Sequence, residues 1–369
     1  MSQPPRIQAP PALHVAVAGW LLGPPSGANR RLLALLGRIG PQLRTDERVT
    51  VLHTLADRDV PPLPGMHWHR VPIAANPTWR RLWHERRTLA ATIRALGATV
   101  LDHGFLPLPP VDVPIVWTLH DLRGPAGLTR WPRWLATAAV RRAAQQAAAT
   151  VVPSAFTRDE LLRLYPQARC VVIPNGVTMP AAQTNLSART APVLHVGHLE
   201  PRKNLAILLH ALALLPANSR PPLRLLGRDA GQGAALRTLA SRLGIAAQVT
   251  FGGVVDEATL AREYAAARAV VVPSRYEGFG LAALEGLAHG KPVLVADAGA
   301  LPEVVGEVGL RLPPDDAAAW ARALATLAEM RDATAEAAAA AARRAHAATF
   351  DWARSAAQVL DLWRQANGR

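Results

Sequence analysis

The chain has 369 residues, half of them hydrophobic, and carries 41 Lys and Arg against 27 Asp and Glu, a formal net charge of +14 at pH 7. That length suits two domains with separate cores, and the composition excludes a disordered chain. No run of 18 apolar residues marks a transmembrane helix, and the single cysteine excludes an internal disulfide.

The charge is uneven. Up to Pro180 there are 21 Arg against 10 Asp and Glu, a net of +11, and the remainder has 20 basic against 17 acidic residues, a net of +3. The excess comes as separated pairs, Arg30-Arg31, Arg80-Arg81, Arg86-Arg87 and Arg141-Arg142, with no zinc-finger or RNA-recognition pattern. Nucleic acid is therefore not expected as a partner; an acidic acceptor or an anionic membrane surface is. Only Lys203 and Lys291 among the basic residues are lysines. With no CxxC or HExxH pairing, no metal site is expected.

Met1 to Pro11 is proline-rich, and Leu13-His14-Val15-Ala16-Val17-Ala18-Gly19 after it reads as a first strand rather than a signal peptide. The loop from Gly23 through Gly27 to Arg31 feeds a helix around Leu32 to Leu36. Such a loop is either a plain connection or the place where an open α/β sheet meets its ligand; it lacks G-x-G-x-x-G spacing, which weighs against a dinucleotide enzyme. Trp79 to Leu89 reads as a helix with aromatics beside arginines, which suits a lipid interface or an ordinary packed helix with a solvated basic face. Arg130-Trp131-Pro132-Arg133-Trp134 is a second basic aromatic patch, read as a loop and helix start.

Val100-Leu101-Asp102-His103 and Ile115-Val116-Trp117-Thr118-Leu119-His120-Asp121 read as strands, each ending in a polar pair where ligands of parallel sheets sit. Val151-Val152-Pro153-Ser154 leads into a Thr157-x-x-Glu160 capping box that starts a helix near Arg158. Cys170-Val171-Val172-Ile173 is the next strand, with Cys170 expected as a buried small residue and a reducing cytoplasm as its surroundings. Thr178 to Pro192 has linker composition, which places a domain boundary there.

Val193-Leu194-His195-Val196-Gly197 opens a second sheet, and His198 to Asn204 precedes the apolar helix from Leu205. Arg202 and Lys203 near a helix N-terminus oppose its dipole, so an anionic group should compensate them. Ala269-Val270-Val271-Val272 reads as a buried strand entering the loop Pro273 to Gly280, where Gly278 and Gly280 allow close backbone approach before a helix begins at Leu281. Free N–H groups and the helix dipole make that turn a seat for phosphate. Glu277 sits in the loop and Glu285 in the helix among Ala282, Ala283, Leu284, Leu287 and Ala288, an environment that predicts burial against a polar partner. Lys291, at a strand entrance, reads as structural, and Ala298 to Glu303 as another loop then helix. Asp315 to Thr349 reads as helical, and a last helix follows Phe350.

Glu277 and Glu285 with their spacing resemble the Glu-x7-Glu signature of retaining glycosyltransferases of family 4. The resemblance covers nearly the whole chain and is strongest from Val193 to Pro313. It implies an α/β protein of GT-B architecture, two Rossmann-like domains facing each other across a cleft. Residues 1–180 would form the acceptor-binding domain, 181–349 the nucleotide-sugar domain, and 350–369 a helix crossing back onto the first.

The implied activity is retaining transfer of a hexose, with mannose favoured, from a nucleotide diphosphate sugar to a hydroxyl of a glycan or lipid-linked acceptor. The protein would lie in the cytoplasm or at the inner membrane face and need no cofactor. By the resemblance, Glu277 and His120 are catalytic. Lys203, Arg202, Gly278, Phe279, Gly280 and Leu281 hold the donor diphosphate, Glu285 the ribose, and Gly27 and Asp121 line the acceptor side. One departure is His198, where many relatives carry arginine, and Arg202 is the candidate to replace that contact. A sugar-nucleotide epimerase of the same fold and a non-catalytic Arg-rich binding protein are the alternatives.

Overall fold

The computed structural model describes residues 12–20, 22, 27–73, 78–122, 133–181, 190–329 and 333–368. The chain divides into two units, Met1–Gly176 with Trp352–Arg369, and Val177–Asp351. The first crossing falls at Gly176 rather than after Pro180, because the Val177 N–H already donates to the Phe350 carbonyl at 2.9 Å inside the second unit. The Met1 to Pro11 stretch, the loop 23–26, residues 130–132 and most of the expected linker lie outside the described residues.

Seven parallel strands form the sheet of the first unit: β1 (His14–Ala18), β2 (Arg48–His53), β3 (Met66–Arg70), β4 (Val100–His103), β5 (Ile115–Thr118), β6 (Ala149–Val152) and β7 (Cys170–Val172), in the order β3-β2-β1-β4-β5-β6-β7. Six parallel strands form the second: β8 (Val193–Val196), β9 (Leu223–Leu226), β10 (Val249–Gly253), β11 (Ala269–Val272), β12 (Val293–Ala296) and β13 (Leu310–Leu312), in the order β10-β9-β8-β11-β12-β13. β11 and β12 are buried at every position, as strands covered on both faces must be, and this is why they read as unbroken apolar runs. Each sheet reverses its direction of growth once, between β1 and β4 and between β8 and β11. Loops leaving neighbouring strands at such a point diverge and open a crevice for ligand.

The last helix, Trp352–Asn367, buries Trp352, Ala356, Val359, Leu360 and Trp363 in the core of the first unit. Gly176 is required opposite it, since a Cβ there would lie 2.4 Å from the Trp352 nitrogen.

Two local expectations need correction. The helix Ala155–Leu164 is capped by Ser154, whose hydroxyl accepts from the Thr157 N–H, and not by Thr157. Ser154 keeps the extended backbone of the preceding strand, the conformation an N-cap needs. Cys170 is only half-buried, since it begins the edge strand β7. Arg31 and Arg81, one from each of two arginine pairs, are buried, 3% and 2% exposed. Arg81 reaches inward to Glu85 at 2.9 Å, where the helix Thr78–His84 continues into a π-helical turn. Among the described residues no helix is long and apolar enough to cross a membrane.

Candidate active site

In the second unit, the loops after β8 and β11 leave the sheet side by side at its switch point. The β8 loop carries a short 3₁₀ turn, Pro201–Lys203, closed by Asn204 in a left-handed conformation. That turn delivers Arg202 and Lys203 to the β11 loop, and the Arg275 N–H donates to the Arg202 carbonyl at 2.9 Å to hold the two loops together.

Lys203 Nζ donates to Glu277 Oε1 at 2.6 Å, and Arg202 Nη1 donates to Glu277 Oε2 at 2.9 Å. Arg202 is held from its other side by Glu200. Burial by itself pushes the Glu277 carboxyl up, but the charges of Lys203 and Arg202 outweigh it and hold the group at about 2. Glu277 is therefore ionised, 9% exposed and engaged by two cations. The loop position alone suggests a carboxylate open to ligand; the fold instead gives it internal partners.

The helix Leu281–Ala288 begins immediately after this cluster. Gly280 at its N-cap has φ 118° and supplies no side-chain cap; the Ala283 N–H donates to the Gly280 carbonyl at 3.0 Å, while those of Leu281 and Ala282 have no carbonyl a turn earlier in the helix. Eight residues are too few for a stable isolated helix, and its hold comes from buried Ala283, Leu284, Leu287 and Ala288. Burying each leucine contributes about 1.5–3 kcal/mol. Phe279 packs its ring into the core against Phe350, with centroids 5.9 Å apart, so only its backbone can serve a ligand. Glu285 is half-buried rather than enclosed, because Leu281, Ala282, Glu285 and His289 form the stripe opposite the buried face.

Sequence reasoning passed over two further residues here. Gly299, in the loop after β12, has φ 61°, and a Cβ on it would stand 2.7 Å from the Glu277 nitrogen. The neighbouring Ala300 N–H donates to the Glu277 carbonyl at 2.9 Å, fixing the backbone that carries the carboxylate. His195 is wholly buried beneath Lys203, with Nδ1 3.0 Å from the Val271 carbonyl. A histidine inside an apolar strand pattern gives no local sign of such a position.

In the first unit, the ends of β1, β4 and β5 border a cavity of about 110 Å³. Arg31, Asp102, Thr118 and His120 line its polar side, and Leu32, Leu35, Leu36 and Val359 its apolar side. His120 is half-buried, and burial, then the charge of Arg31, lower its pKa to about 4, so the ring is neutral at physiological pH. Asp102 accepts from Trp363 Nε1 at 2.8 Å. Asp121 is half-buried beside His120, and Gly27 is exposed at the first turn of the helix Gly27–Ile39. The predicted residues thus fall into two groups: Arg202, Lys203, Glu277, Gly278 to Leu281 and Glu285 in the second unit, and Gly27, His120 and Asp121 in the first.

Residues 26–179 match the model of Glycosyltransferase Family 4, and residues 181–345 that of Glycosyl transferases group 1. A D-inositol 3-phosphate glycosyltransferase of Thermobispora bispora is 34% identical over 295 residues, 71% of this chain and 68% of that protein. O-antigen chain mannosyltransferase B of Escherichia coli is 34% identical over 226 residues, 57% of this chain and 59% of its own. With three D-inositol 3-phosphate glycosyltransferases of Streptomyces species the match spans 40–50% of their length.

Among solved structures, the sucrose-phosphate synthase of Thermosynechococcus elongatus superposes with a TM-score of 0.77 at 22% identity, covering 96% of this chain and 98% of that one. HepE of Anabaena in complex with UDP-glucose superposes with a TM-score of 0.75 at 20% identity, covering 96% and 100%. The chain belongs to glycosyltransferase family 4 and has the two-domain α/β fold of the GT-B glycosyltransferases.

Proposed function

We propose that the chain transfers a hexose, with mannose favoured, from a nucleoside diphosphate sugar to a hydroxyl of a glycan or lipid-linked acceptor, with retention at the anomeric carbon. The observation that carries this reading is the Lys203–Glu277–Arg202 cluster at the switch point of the second sheet, beside an uncapped helix N-terminus. Two cations and a row of backbone N–H groups form an anion seat, which the Glu277 carboxylate fills.

A donor diphosphate replaces Glu277 on Lys203 and Arg202. The freed carboxylate turns to the hydroxyls of the sugar, and Glu285 holds those of the ribose. As the acceptor oxygen bonds to the anomeric carbon, the bond to phosphate breaks and its electron pair leaves with the diphosphate. The acceptor proton passes to a departing phosphate oxygen. Lys203, Arg202 and the N–H groups from Gly278 to Leu281 stabilise the charge that develops there, and no metal is invoked. His120 is a neutral imidazole lining the first unit's own cavity, the side assigned to the acceptor. The mannosyltransferase relative supports the choice of sugar.

The first unit supplies the membrane contact. Trp79 and Trp134 are 67% and 70% exposed, Trp83 is also exposed, and Arg87 stacks over Trp83 at 4.4 Å. Amphipathic rings with cations suit an anionic lipid surface at the cytoplasmic face.

The test is incubation with a panel of UDP- and GDP-sugars, with and without acceptor extract, measuring nucleoside diphosphate release. Acceptor-dependent release from one donor, lost in Lys203→Ala, is the expected result. Conversion of the donor without acceptor would make the chain an epimerase, and no turnover of any donor would leave only a binding protein.

A further inference from the structure

His195 is wholly buried in β8, and its Nδ1 lies 3.0 Å from the carbonyl of Val271 in β11. A carbonyl only accepts, so Nδ1 carries the proton. In the neutral ring Nε2 is then a bare acceptor, and burial, ahead of the charge of Lys203, favours that neutral form. Nε2 has no hydrogen-bond partner among the described residues. Buried polar atoms are rarely left so, and each calls for an explanation.

The surroundings of Gly197 supply one. A Cβ built on Gly197 would lie 3.2 Å from His195 Nε2, 3.2 Å from Lys203 Cε and 3.3 Å from Lys203 Nζ. The imidazole acceptor and the ammonium thus flank one point, which glycine leaves open. Lys203 has three N–H donors, and one is committed to Glu277.

We propose that His195 is a positioning residue for Lys203: its Nε2 lone pair receives an ammonium N–H when the diphosphate takes Glu277's place, and it keeps Nζ at the carboxyl end of β8. The inference rests on the donor-site reading given above. A neutral acceptor suits this task, because a second carboxylate would compete with the phosphate for the lysine charge.

A double-mutant cycle tests it, with calorimetry of free UDP and GDP on the full chain. His195→Phe keeps a flat ring and removes the acceptor, and His195→Gln keeps an acceptor oxygen; both are checked for parental melting first. In the parent, His195→Phe is expected to weaken binding of the better nucleotide about tenfold, the size of one hydrogen bond to a charged group. His195→Gln is expected to lose less. With Lys203→Ala already present, His195→Phe is expected to cost nothing more, because the group it positions is gone.

Equal losses in both backgrounds would reduce His195 to a packing residue and overturn the proposal, as would no loss in the parent. If His195→Phe does not fold, the same cycle run with His195→Leu, which also removes the acceptor, decides by the same criterion. Failure of the donor-site reading has a different signature: Lys203→Ala alone would then leave nucleotide affinity unchanged, and the role of His195 would fall with it.

Discussion

Gly299 and Glu277 meet backbone to backbone: the left-handed glycine lies where a Cβ would stand 2.7 Å from the Glu277 nitrogen and 2.8 Å from its carbonyl oxygen. The contact involves rigid main chain, so neither side can yield cheaply. Gly299→Ala combines this clash with a left-handed alanine and is expected to destabilise the second unit by about 1–3 kcal/mol or more, with turnover falling as Glu277 shifts. Urea melts of parent and variant check it, and coincident melts would show that the approach is not close.

Asp102 gives the first unit a pH-dependent term. Burial pushes its carboxyl up to about 6, against the opposing pull of the Trp363 N–H and the Arg31 charge. A raised folded pKa means that the native state holds the proton more tightly than the unfolded chain. This contribution is full below the ordinary value of 3.8 and is lost as pH rises through about 6. Asp102→Asn, which mimics the protonated form, is expected to melt above the parent at pH 7, with the gap closing below pH 4. Thermal melts across that range check the sign, and a variant melting lower than the parent at pH 7 would contradict it.

The exposed tryptophans predict lipid binding. Sedimentation with liposomes should require anionic lipid and weaken as salt rises. Replacing Trp83, Arg86 and Arg87 together by alanine removes two exposed cations, each contributing about 1 kcal/mol near such a surface, so binding should fall about 30-fold. A triple variant that sediments like the parent would exclude this segment as the contact.

The second sheet was legible because β8 and β11 are central and buried, so each appears as a short apolar run ending in glycine or proline. Lys203 stood out by composition. The partnership of Lys203 with Glu277 spans 74 positions and depends on β8 lying beside β11, a pairing that no local pattern announces. Burial of Arg31 was equally hidden, since its partners, the Ile173 carbonyl and Asn175, come from the far end of the unit's chain. The half-exposure of Glu285 follows from which stripe of a short helix faces the sheet, and its alanine- and leucine-rich neighbours masked that choice.

Glu277 occupies the cationic seat that, on the proposed function, a donor diphosphate takes. Calorimetry of free UDP and GDP with the parent, Lys203→Ala and Glu277→Gln tests it most directly. Lys203→Ala is expected to weaken binding about 10- to 150-fold, corresponding to roughly 1.5–3 kcal/mol for a bond to a charged group. Glu277→Gln removes the internal competitor and is expected to bind the free nucleotide at least as tightly as the parent while turnover falls. If both variants weaken nucleotide binding alike, or neither alters it, the carboxylate does not stand in for the diphosphate and the site has been assigned wrongly.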